Sequence, residues 1–132
     1  MSIKALIFPS QSRGFPGKRW TDIILRTIHL IGLLGLAGGI LFNVEKSLWH
    51  PYFLATIVSG IAMIAISLWS NAKWLLQNRG LSIIIKLVFL MFIPIFPDWE
   101  FLLLIIVVVI SGVSSHAPAR FRYYSIFHGK EI

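Results

Sequence analysis

The segment TDIILRTIHLIGLLGLAGGILFN, residues 21–43, constrains this chain more than any other stretch. It is apolar over about 20 residues, the length a helix needs to cross a bilayer. Three more apolar runs follow, at approximately 52–70, 81–96 and 101–115. With 57% apolar and 13% charged residues, the chain lies far from a water-soluble domain, in which roughly 25% of residues are charged. The ten-residue alternation of apolar and polar side chains that marks a membrane β-barrel is missing from the sequence. The expectation is an all-α, integral membrane four-helix bundle, one domain over residues 1–132.

Between the spans the chain is basic and interfacial. Residues 1–20 form a basic arm in which Pro9, Gly14, Pro16 and Gly17 break any long helix. Its apolar patch, 5–9, is too short for the core of a secretory signal. The arm is expected along the membrane surface, with Lys18, Arg19 and Trp20 at the headgroup level. Thr21 suits an N-cap and Asp22 a first helical turn. Residues 43–51 form a loop that ends with Pro51 at a first helical position. The second span runs from Tyr52 to Trp69 and is open to continuation as far as Leu76. Residues 70–80 form an interfacial turn, Pro94 kinks or ends the third span, and Pro118 stops the fourth. Residues 116–132 are a tail of interfacial composition.

Four spans place the arm, the middle connection and the tail on one side. That side holds Lys4, Arg13, Lys18, Arg19, Lys73, Arg79, Arg120, Arg122 and Lys130; the other side's loops hold only Lys46. The positive-inside rule then places both termini in the cytoplasm, as in a bacterial inner-membrane protein. The net charge of +7 has this explanation, so nucleic acid is not an expected partner. The lipid bilayer is.

Ionisable residues inside the spans are the candidates for function, because their burial in lipid is costly. Asp22, Arg26, His29 and Gly32 form one helical stripe, and Asp22 and Arg26 share a face on which they can pair. His29 lies roughly 10–12 Å in from the start of its span and Lys86 roughly 8 Å in from the start of the third. His116 is shallower, at the end of the fourth. A histidine in such a place ligates haem iron, passes protons or hydrogen-bonds a quinone. Cations around it suit carboxylates, as of a porphyrin. The structural alternatives stay open beside these. Arg26 and Lys86 can snorkel to the interface, and His29 can bond a carbonyl or serine on a neighbouring helix. His50, His116 and His128 are cheaply placed at interfaces or in the tail. Gly32, Gly35, Gly38 and Gly39 admit either a flat ligand or a second helix.

Other chemistries find little footing. No cysteine is present, which excludes disulfides and thiolate metal sites. No GxSxG, HExxH or P-loop motif occurs. Asp98 and Glu100 read as solvated loop charges. The adjacent Ser115 and His116 cannot face each other on a helix. No catalytic residue is assigned.

The run RTIHLIGLLGLAGGI, a histidine followed by glycines, and the later LSIIIKLVFL, with its lysine, are similar to two groups of four-helix membrane proteins. These are the copper-resistance D and HemJ-type protoporphyrinogen oxidase groups. The resemblance covers helix one and the start of helix three. It implies haem b, with His29 as the iron ligand and Lys86 as the second required residue. The cofactor site expected on this basis comprises His29, Lys86 and Arg26, with Gly32 beside the ring and His116 as a candidate second axial ligand. The corresponding function is a redox protein that binds haem b, a porphyrin or a quinone. The alternatives are an accessory or assembly subunit packing through the glycine face against a larger membrane complex or a second copy, and a small copper transporter. The last is poor in soft ligands, since the only methionines are Met1, Met63 and Met91.

Overall fold

The computed structural model describes residues 2–132. Six helices follow in order: α1 (Ile3–Ile7), α2 (Lys18–Leu41), α3 (Lys46–Ser70), α4 (Asn78–Phe92), α5 (Glu100–His116) and α6 (Ala119–Arg122). Short 3₁₀ turns at Ala72–Leu76 and Pro97–Trp99 precede α4 and α5. Two two-residue strands, β1 (Tyr124–Ser125) and β2 (Lys130–Glu131), pair antiparallel at the end. The class is all-α. Three stretches are long and apolar enough to cross a membrane: Lys18–Leu41, Lys46–Ser70 and Pro97–His116. The third apolar run forms the 15-residue α4, about 22 Å of helix against a hydrocarbon core of about 30 Å.

The chain divides into two compact units, Met1–Asn71 and Ala72–Ile132. The first is built on the hairpin of α2 and α3. Helix α2 begins at Lys18, a turn ahead of the expected N-cap Thr21, because Gly17 takes a left-handed φ of 82° that glycine adopts without penalty. The Thr21 hydroxyl instead donates to the Gly17 carbonyl. At the other end, Val44 N–H bonds Gly39 O and Asn43 N–H bonds Ile40 O, with Asn43 left-handed at φ 51°. This is a Schellman closure, and asparagine is the residue other than glycine that tolerates it. The reversal is therefore tight. Helix α3 starts at Lys46 and carries Pro51 inside it, rather than at its first position. The proline has no N–H to donate, so one backbone bond of the second turn is forgone. Continuation to Leu76 does not occur: α3 ends at Ser70, where Asn71 is extended.

The basic arm is docked by specific bonds rather than merely laid on a surface. Arg13 donates to the carbonyls of Trp69 and Leu6, and its backbone N–H to that of Ser70. The Ser70 hydroxyl donates back to Arg13 O at 2.6 Å. The Asn71 amide donates to Pro9 O. A guanidinium thus satisfies a terminal carbonyl of α3 at the negative end of the helix dipole.

The second unit is a hairpin of α4 and α5 with a polar cap on its open end. Helix α4 stops at Phe92, two residues before Pro94, and α5 stops at His116, two before Pro118. Ala117 takes the extended conformation that Pro118 imposes on its predecessor, whereas Ile93 stays helical in φ and ψ and α4 ends because Pro94 has no N–H to continue the ladder. The most buried side chains of α5 are Leu104 and Val107. The tail is ordered beyond expectation: Gly129, at φ 64°, allows β1 and β2 to pair, and Ser125 is fully buried beneath them.

Candidate functional site

His29 lies on the face of α2 that meets α3. Its Nδ1 is 3.0 Å from Thr56 O and 3.0 Å from Ser59 Oγ. A carbonyl oxygen only accepts, so this geometry places a proton on Nδ1; in the neutral imidazole the lone pair is then on Nε2. The Ser59 hydroxyl has one proton and gives it to backbone carbonyls of its own helix, Ala55 O at 2.6 Å or Thr56 O at 3.1 Å. Its oxygen is then an acceptor for the imidazole. Thr56 closes the cluster by donating to Tyr52 O at 2.8 Å. Thr56 and Ser59 are both buried. Hydroxyl-to-carbonyl bonds of this kind let a polar residue live on an apolar helix.

Glycines set how close α2 and α3 come. A Cβ on Gly32 would lie 2.5 Å from Thr56 Oγ1, 2.8 Å from its N and 2.9 Å from Tyr52 O. One on Gly35 would lie 2.1 Å from the Tyr52 ring, and one on Gly39 2.5 Å from Trp49. The space beside Gly32 is therefore filled by α3, so Gly32 is a helix-packing position rather than a slot for a flat ligand against that helix. Gly60 of α3 completes the arrangement, since a Cβ there would stand 3.3 Å from His29 Cε1. The imidazole lies against a helix surface bared by Gly60. The same face of α2 is thus already used within the chain, which leaves Gly38, with nothing within 4 Å, as its open glycine.

One turn nearer the start of α2, Arg26 is exposed. It does not pair with Asp22. Asp22 accepts instead from Lys18 at 2.7 Å, an i,i+4 pair made available by the earlier start of α2. Lys18, Arg19, Asp22, Ile23 and Arg26 line a shallow surface groove, so three cations and one arginine-distal carboxylate share that end of the helix.

The remaining candidates lie in the second unit. Lys86 is half-buried on α4. His116 is exposed at the end of α5, with Nδ1 2.9 Å from Gly112 O of its own helix. His128 Nδ1 contacts the buried Ser125 Oγ at 2.9 Å and so ties the final hairpin; the tail's composition gave no signal of this. The structural alternative for His29, a bond to a carbonyl or serine of a neighbouring helix, is met by Thr56 O and Ser59 Oγ; the sequence did not single out Thr56, Ser59 and Gly60 as its particular partners, although the spacing of Thr56 and Ser59, three apart on one helical face, was there to be seen. Among the described residues, no group of three or more His, Cys, Asp or Glu side chains could hold a metal ion. No family model matches the chain, and neither the curated proteins nor the solved structures contain a match.

Proposed function

We propose that this is a small polytopic membrane protein that binds haem b through His29 in a redox role. The observation that carries the reading is the anchoring of Nδ1 by Thr56 O and Ser59 Oγ at 3.0 Å. A ligating histidine generally donates its other ring nitrogen to a carbonyl or similar acceptor, which fixes the tautomer and raises the basicity of the ligand atom. Here the ligand atom is Nε2. Arg26, three residues away on the same helix, and the cations Lys18 and Arg19 beyond it suit the propionates. Bound haem would supply one-electron transfer; His29 would hold the iron, Thr56 and Ser59 would orient its ring, and Arg26, Lys18 and Arg19 would offer the charge that suits the propionates. Gly32 takes no part beyond setting the distance to α3. The chain is read as four spans with both termini cytoplasmic, α4 and the turns after it making the third crossing. The nine-to-one distribution of basic residues supports this.

The test is an absorption spectrum of the protein purified with haem supplied. The wild type should show a Soret band and His29→Ala should lose it. Ser59→Ala should keep the band but bind about 10–100-fold more weakly, the usual effect of losing an outer partner of a metal ligand. Full occupancy in His29→Ala, or no haem in the wild type, would reject the reading in favour of an accessory subunit. Reporter fusions at Ile132 and in the loop before α3 should report opposite sides of the membrane; the same side for both would reject four spans.

A further inference from the structure

The polar cap on the second unit has too many donors. Arg79 and Arg122 bring their guanidinium carbons to 4.9 and 5.6 Å from the centroid of the Tyr123 ring. Among the described residues, neither pairs with a carboxylate. The acceptors of the cap are already engaged. Gln77 Oε1 accepts from Arg79 Nε at 2.6 Å, Ile132 O accepts from Gln77 Nε2 at 2.7 Å, and Phe121 O accepts from Asn78 Nδ2 at 2.9 Å. Two buried side-chain N–H groups are left with no partner, Trp74 Nε1 and Arg122 Nε. Trp74 is only 7% exposed. A buried donor without an acceptor costs about 1–3 kcal/mol and calls for an explanation.

Both orphans are donors, Arg122 and its neighbour Arg79 are positive, and the terminal Ile132 oxygen is taken by Gln77. The cap therefore lacks an acceptor, and the acceptor that suits two guanidiniums is an anion. Arg79 and Arg122 carry like charges over the same ring. The two arginines thus repel each other, and an anion between them would relieve that repulsion. The cap also lies where α4 begins and α5 has ended, at the edge of two apolar helices. At such a level the abundant anion is the phosphate of a lipid headgroup.

We propose that this cap is a phosphate-binding site, in which Arg79, Arg122 and the Trp74 indole take the phosphodiester of an anionic phospholipid or a free phosphate. Arginine is the suitable residue because its planar fork pairs with phosphate through two parallel bonds.

The experiment reconstitutes the full chain in vesicles of phosphatidylcholine with a minority of phosphatidylglycerol and counts retained lipid by native mass spectrometry. The wild type should retain phosphatidylglycerol selectively. Arg79→Gln and Arg122→Gln should each lower retention about tenfold or more, as the loss of a charged hydrogen bond implies. Arg122→Lys should resemble Arg122→Gln, because it keeps the charge but not Nε. Arg120→Gln, on the exposed side of α6, should retain lipid like the wild type. A second arm reads the wild-type cap directly: inorganic phosphate is added to the wild type in phosphatidylcholine alone, and the Trp74 share of the fluorescence change is obtained by difference from Trp74→Phe, whose helical content is first matched to the wild type by circular dichroism. Selective lipid retention without a response to phosphate assigns the site to headgroups. A fluorescence change with inorganic phosphate, and its competition with the lipid, assigns it to free phosphate. Equal retention in all variants, an equal loss in Arg120→Gln, or no response in either arm overturns the proposal.

Discussion

In the first unit, α2 meets α3 across Gly32, Gly35 and Gly39, with the His29–Thr56–Ser59 cluster in the seam. In the second, α4 packs on α5, whose best-buried side chains are the aliphatic Leu104 and Val107. On the proposed four-span reading both hairpins lie in lipid, which is as apolar as leucine, so neither gains much from hiding apolar surface, and close packing and hydrogen bonds must hold each together. The first hairpin uses backbone proximity. The second uses interlocking side chains and is finished by a polar cap. Glycine packing is intolerant of any added atom, whereas aliphatic packing is sensitive to removed ones. The two hairpins should therefore fail under opposite substitutions.

The largest expected effect is Gly32→Leu. A Cβ alone would meet backbone atoms of Thr56 and Tyr52 under 3 Å away, and backbone cannot swing aside. The hairpin should lose about 3 kcal/mol or more, at the upper end for overpacking. Gly112→Leu on α5, where a Cβ meets nothing within 4 Å, should leave melting in detergent unchanged. Equal melting of the two variants would erase the contrast between the hairpins.

Leu104→Ala comes next. Leu104 is 1% exposed, and the expected cost is about 2 kcal/mol, the low end for a buried leucine. The transfer term that adds to this cost in water is small in lipid, leaving the packing term. Steady-state unfolding in mixed micelles would measure it. A loss no greater than that of an exposed neighbour such as Val109→Ala would show that interlocking side chains are not what holds α5.

The smallest effect is on the polar seam itself. Hydrogen bonds between membrane helices average about 0.6 kcal/mol. His29→Ala should thus lower stability by only about that amount while abolishing haem binding, which separates the ligand role from folding. A loss several times larger would make the cluster chiefly a structural joint and sharpen the comparison in another direction, with the first hairpin then resting on its hydrogen bonds as well as on packing.

Membrane character, the helical class and most helix ends were legible in the residues. Long apolar runs can satisfy their backbone only as helices in lipid, Pro118 ends a helix by holding Ala117 extended, and Pro94 ends one by its missing N–H. His29 and its glycines were legible as unusual for the same reason: polar and small residues are costly or purposeless in a lipid-facing helix. Their use was not legible. Whether Gly32 admits a ligand or a helix depends on what stands opposite, and a stripe on one helix does not name its partner. Tertiary structure decided that Thr56 and Tyr52 stand there, that His29 spends Nδ1 on Thr56 and Ser59, and that Asp22 pairs with Lys18 rather than Arg26. It also decided the docking of Arg13 on the end of α3 and the gathering of Arg79 and Arg122 around Tyr123. These contacts join residues as far as 57 positions apart. The physical reason is that local sequence sets periodicity and helix ends, whereas the meeting of distant side chains depends on the turn and approach of whole helices.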